Sequence, residues 1–112
     1  MRTSRSEIPD WLELTHSRDA RDRRKALAAL CPCEVKSHDA RIWRRVLEMA
    51  YDPDASVRRW VLHVLCDGSP AGYQADIVRV LESRYQDSDD RVRRSARKVL
   101  ATYRRSGSLN VL

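Results

Sequence analysis

Val57, Val61, Val64 and Leu65 recur at helical spacing, with charged and polar residues between them. That spacing gathers apolar side chains on one face of an α-helix. Val92, Ala96, Val99 and Leu100 repeat the pattern, and Ala26, Ala29 and Leu30 carry a smaller-volume version of it. Asp19, Asp54 and Asp89 stand just ahead of the three apolar runs, where an N-cap carboxylate accepts the free N–H groups of a first turn. Pro32 follows the first run, and Asp67-Gly68-Ser69-Pro70 follows the second, both stop signals. Three helices are therefore expected to begin at these aspartates.

A second helix is expected ahead of each. Ile42, Trp43, Val46, Leu47 and Met49 share a broad face between Asp39 and Tyr51, and Ile77, Val78, Val80 and Leu81 do so between Ala71 and Tyr85. Trp11, Leu12 and Leu14 form a shorter counterpart between Pro9 and His16, with Pro9 tolerated in the first turn.

These elements are copies. SRDARDRRKALAAL (Ser17–Leu30), DPDASVRRWVLHVL (Asp52–Leu65) and DSDDRVRRSARKVL (Asp87–Leu100) align at steps of 35 residues. Arg23, Arg58 and Arg93 coincide, as do Arg24, Arg59 and Arg94, and Leu30, Leu65 and Leu100. An internal repeat of that length, each unit a pair of helices, buries its apolar face only by stacking on its neighbours. The expected fold is all-α: an α-solenoid of three stacked helical hairpins, each an A helix followed by a B helix. It covers residues 9–105 in repeats of about 9–33, 38–68 and 70–105, with a leader 1–8 and a tail 106–112. Leu109, Val111 and Leu112 of that tail are expected to fold back over the end of the stack, or else to dock on a partner.

The quoted motif resembles the HEAT repeat family, in particular the short bacterial HEAT-like repeats known from phycobilisome lyases. Asp54, Val57, Arg58 and Leu65, and Asp89, Val92, Arg93 and Leu100, match its Asp, Val-Arg and Leu positions; copy one departs, with Asp22 in place of Val. The resemblance implies B helices lining a concave binding face. It also implies a structural ladder in which Asp54, Arg58, Asp89 and Arg93 link neighbouring repeats.

Charge adds a partner class. Lys and Arg number 22 against 16 acids, a formal net charge of +6. Arg supplies 19 of the 22 cations, which favours directed, bidentate hydrogen bonding to carboxylate or phosphate. With Val57 and Val61 inward, a 100° turn per residue puts Arg59, His63 and Cys66 outward, flanked by Leu62. The same wheel puts Arg24, Ala28 and Cys31 outward in copy one, flanked by Leu27, and Arg94, Lys98 and Ala101 in copy three, flanked by Arg97. Arg24, Arg59, His63, Arg94, Arg97 and Lys98 are thus the candidate contacts. They suit another protein with an acidic surface; the alternative is the phosphate backbone of DNA or RNA, and an ordinary solvated face is the plain one. Trp11 and Trp43 are expected in the core and Trp60 at its edge. The open ends of such a stack also invite a homodimer.

Other chemistry is sparse. Cys31, Cys33 and Cys66 are too few and odd in number for a disulfide framework. With His63, and with His38 between them, they form at most a weak set of soft-metal ligands; packing is the main expectation, and no metal or other cofactor is expected. No Ser-His-Asp order or paired carboxylates stand out, so the protein is expected to be non-catalytic, with bilin-lyase-like or other enzyme activity as the minor alternative. No apolar run approaches the roughly 18 residues of a membrane span, and MRTSRSEIPDW lacks the apolar core of a secretory signal. A cytoplasmic protein without a membrane partner is the expectation.

Overall fold

The computed structural model describes residues 2–35 and 39–112, and no strand occurs among them. α1 spans Ile8–Leu14, α2 Ala20–Leu30, α3 Ala40–Glu48, α4 Ala55–Leu65, α5 Gln74–Ser83 and α6 Asp90–Ser106. Single 3₁₀ turns occur at Arg5–Glu7, Met49–Tyr51 and Ala71–Tyr73.

The expected caps are present. Asp19 accepts the Arg21 N–H, Asp54 that of Val57, and Asp89 those of Arg91 and Val92. Each of the three aspartates is extended while the residues after it are helical, the geometry in which a side-chain oxygen reaches the first turn. α6 outruns its counterparts to Ser106 and stops at Gly107, whose φ of 75° is a left-handed cap.

Hydrogen bonds between elements fix the helix directions. Arg23 near the start of α2 reaches Asp52 just before α4, while Cys31 at the end of α2 reaches Asp67 just after α4, so α2 and α4 run parallel. Arg58 and Asp87 tie the starts of α4 and α6 in the same way. α1 packs on α2, α3 on α4 and α5 on α6, while α4 is flanked by both α2 and α6. Gln74 at the start of α5 donates to the Tyr103 hydroxyl near the end of α6 at 2.6 Å, which makes that pair antiparallel. On the other side, Arg45 of α3 donates to the Thr15 hydroxyl and carbonyl at 2.9 and 3.0 Å.

A single apolar core runs through all six helices, with Trp43, Leu27, Val57 and Leu81 fully enclosed. Trp43 is buried against the Tyr73 ring at 5.9 Å, Trp11 packs at the margin, and Trp60 is 37% exposed. The Cα radius of gyration, 13.2 Å, equals that of a globule of about this length. No helix among the described residues is long and apolar enough to cross a membrane.

The N-terminal residues depart from their expected role, while the tail takes the first of the two expected of it. Residues 2–8, expected to be a leader, are held to the domain. Ile8 is buried, and Thr3 pairs with the Glu34 carbonyl through its N–H and with the Ala29 carbonyl through its hydroxyl. The tail folds back, passing across the ends of α4 and α6. Leu109 is buried, the Leu112 N–H donates to the Cys66 carbonyl at 3.0 Å, and Asn110 Oδ1 accepts the Gly68 and Ser69 N–H groups.

Candidate functional site

The two arginines of each Arg-Arg pair have different work. Arg23 lays its fork on Asp52 (Nε to Oδ2 2.9 Å, Nη2 to Oδ1 3.0 Å), and Arg58 lays its fork on Asp87 with the same distances. The remaining Nη1 of Arg58 donates to the Asp52 and Pro53 carbonyls, as that of Arg23 does to Ser17 and Arg18. The guanidinium groups therefore join successive units and tie down the loop before their own helix. Hydrogen bonding to these carboxylates raises the pKa of both arginines. Burial raises the Asp87 carboxyl, but the Arg58 hydrogen bond and the Asp89 N–H outweigh it, and the net shift is downward.

This corrects the expected ladder. Its carboxylates are Asp52 and Asp87, not Asp54 and Asp89, because the latter pair turns back to cap its own helices. Asp54 is held below the usual carboxylate range by the Ser56 hydroxyl and the Val57 N–H. Arg93 keeps the carbonyl contacts, to Asp87 and Ser88, but among the described residues its fork meets only Asp90 of its own first turn. At the other end Ser17 occupies the place of Asp52 and Asp87. The ladder thus has two full rungs. The signal was present in the copies: the first Asp of each Asp-x-Asp recurs in register, and copy one lacks it.

The second arginines face outward to different extents. Arg94 and Lys98 are exposed and Arg59 is half-buried, and none of the three has an ion-pair partner among the described residues. Arg24 leans across to α4 and donates to the Ser56 hydroxyl. Arg97 lies over the Tyr85 ring, 4.4 Å from its centroid, and donates to the Tyr85 carbonyl. It is exposed but committed to the α5–α6 loop. Arg59, Trp60 and His63 line an open hollow of about 280 Å³, in which the Trp60 and His63 rings meet edge to face at 5.6 Å.

Four residues expected to point outward or flank that face are buried: Leu27, Leu62, Cys31 and Cys66. α4 is packed by α2 and α6 at once, so its buried arc is wider than one helical face. Cys66 lies beyond the end of α4, under the returning tail. Burial alone pushes its thiol up to about 12.

The cysteines regroup accordingly. Cys31 Sγ, Cys33 Sγ and an Asp67 carboxylate oxygen lie within 4.8 Å of one another. The Cys31 thiol donates to Asp67 Oδ2 at 3.4 Å, and His63 Nε2 stands 3.6 Å from the same oxygen. Burial pushes the Cys31 thiol well above its ordinary value. Cys66 is not part of this group, and His38 lies outside the described residues. Asp67, read in the sequence only as part of a stop signal, is the member that the α2–α4 packing adds.

Comparison with family models, with curated proteins and with solved structures returns no match.

Proposed function

We propose that the chain is a HEAT-like α-solenoid of three stacked helical hairpins, acting as a non-catalytic docking module. Its B helices, α2, α4 and α6, present a basic concave face to an acidic protein surface. One observation carries this reading. Arg23 and Arg58 are consumed by Asp52 and Asp87, whereas Arg59, Arg94 and Lys98 on the same helices face outward without an acidic partner among the described residues. Cations left unpaired beside fully used ones are free to make charge-assisted bonds to an incoming carboxylate. The half-exposed Trp60 beside Arg59 adds an aromatic anchor, the residue type that concentrates binding energy in protein interfaces.

Duplex DNA would compete for the same row, and salt separates the two occupants. Partners captured on the immobilised chain are identified and then retested with an Arg59→Glu/Arg94→Glu variant, alongside a titration of duplex DNA at rising salt. An acidic protein partner lost with the double variant, and weak DNA binding throughout, supports docking. Tight DNA binding that falls steeply with salt and vanishes in the variant replaces it with phosphate recognition.

A further inference from the structure

The loops that follow α2 and α4 bring unlike donors to one point. After Leu30 the chain leaves the helix at Cys31, whose carbonyl accepts the Glu34 and Val35 N–H groups at 2.8 and 3.0 Å. This tight turn sets Cys33 back beside Cys31. On α4, Asp67 and Gly68 form the matching turn, and Gly68 adopts a φ of 115°. A Cβ on Gly68 would stand 3.3 Å from Pro32 Cβ, so the two loops are in direct contact. That contact is what carries Asp67 to the two thiols, 36 residues from Cys31 in sequence.

We propose that Cys31, Cys33 and Asp67 bind one zinc ion, with His63 completing a tetrahedral set. Two sulfurs, one carboxylate oxygen and one imidazole form a donor set for zinc, whereas calcium and magnesium want oxygen alone. Zinc–sulfur bonds of about 2.3 Å put neighbouring donors just under 4 Å apart, close to the spacing of Cys31, Cys33 and Asp67, whose donors lie within 4.8 Å of one another; His63 stands outside that group and would swing in. His63 Nε2 already shares Oδ2 of Asp67 as its neighbour.

Binding involves no redox change. Each thiol gives up its proton to solvent as its sulfur bonds to the cation, two protons in all. The Cys31 proton, now held toward Asp67, is the one that the metal replaces there. Cys33 is exposed and Asp67 half-buried, which leaves the ion a route in. Because its ligands come from the loop after α2 and from the end of α4 with its following loop, the ion would staple the ends of the two helices together, at the edge of the hollow that His63 shares with Arg59 and Trp60.

The full chain, reduced and stripped with a chelator, is titrated with Co²⁺ and then with Zn²⁺. One Co²⁺ per chain is expected, with a thiolate-to-cobalt charge-transfer band and ligand-field bands of tetrahedral intensity, both lost when Zn²⁺ displaces it. Zn²⁺ should also raise the midpoint of thermal unfolding. Cys33→Ser removes an exposed thiol without opening a cavity. It should keep the helical circular dichroism, lose charge-transfer intensity, and weaken binding by more than the roughly 100-fold upper effect of an outer-shell partner. Cys66→Ala should bind as the parent does. Absence of stoichiometric binding by the reduced protein, or binding that Cys33→Ser and Asp67→Asn leave unchanged, overturns the proposal.

Discussion

The Arg58 guanidinium and the Asp87 carboxylate meet edge to edge in two parallel hydrogen bonds, with the Asp87 side chain only 1% exposed. They join α4 to the start of α6 across 29 residues of sequence. A bidentate pair so enclosed is strong because geometry and charge act together. Its worth shows most clearly when one partner goes and the other is left buried and uncompensated. Asp87→Ala is therefore expected to cost about 3 kcal/mol, read from urea unfolding midpoints. Asp52→Ala, at a pair whose arginine and aspartate side chains are 13% and 8% exposed, should cost less. Arg21→Ala, on the exposed Arg21–Asp19 pair, should leave the midpoint where it is. Equal losses at Asp52 and Asp87 would show that burial does not set the strength of these rungs.

The same pair predicts an acid limb. The Asp87 carboxyl titrates lower in the folded chain than its unfolded value of about 3.9. As pH falls, the unfolded chain takes up this proton first. The stabilisation is thus complete above about pH 4 and is lost as pH drops through the folded value. Unfolding free energy measured from pH 6 downward should fall less steeply in Asp87→Asn than in the parent. Parallel limbs would assign the acid sensitivity to other carboxylates.

Glycine is needed at one loop and free at another. Gly68 has a left-handed φ, and a Cβ there would make a tight 3.3 Å contact with Pro32, so Gly68→Ala should cost about 2 kcal/mol through backbone strain. It should also push apart the loops that bring Asp67 to Cys31. Gly72 has nothing within 4 Å of an added Cβ, and Gly72→Ala should be neutral or gain about 0.5 kcal/mol. Thermal melts of the two variants side by side test the contrast.

The returning tail guards a thiol. Ending the chain after Gly107 removes Leu109 from the core, at a cost of about 2 kcal/mol, and takes away the segment that covers Cys66. In a Cys33→Ser background, alkylation of Cys66 in the folded, truncated protein should run well ahead of the full-length rate. Unchanged kinetics would mean that helix packing alone hides that sulfur.

Much of the fold was legible because the interactions that specify it are local. Asp19, Asp54 and Asp89 cap within three residues of themselves, and the apolar faces of α2, α4 and α6 are set by spacings of three and four. The candidate site was legible in part. Arg94 and Lys98 are exposed and Arg59 is half-buried, while Arg24 and Arg97 found partners, in Ser56 and Tyr85, on other elements.

The sequence by itself determined the helices, their caps, their three-fold repetition and the surplus of arginine. Tertiary structure decided which carboxylate each arginine meets, that Asp67 joins Cys31 and Cys33, and that Cys66 lies under the tail. The physical reason is reach. A cap or an i, i+4 contact lies within one turn of chain, so neighbouring residues encode it. Arg58 meeting Asp87, or Asn110 meeting Gly68, depends on how two loops pack, and no short window of sequence contains both partners.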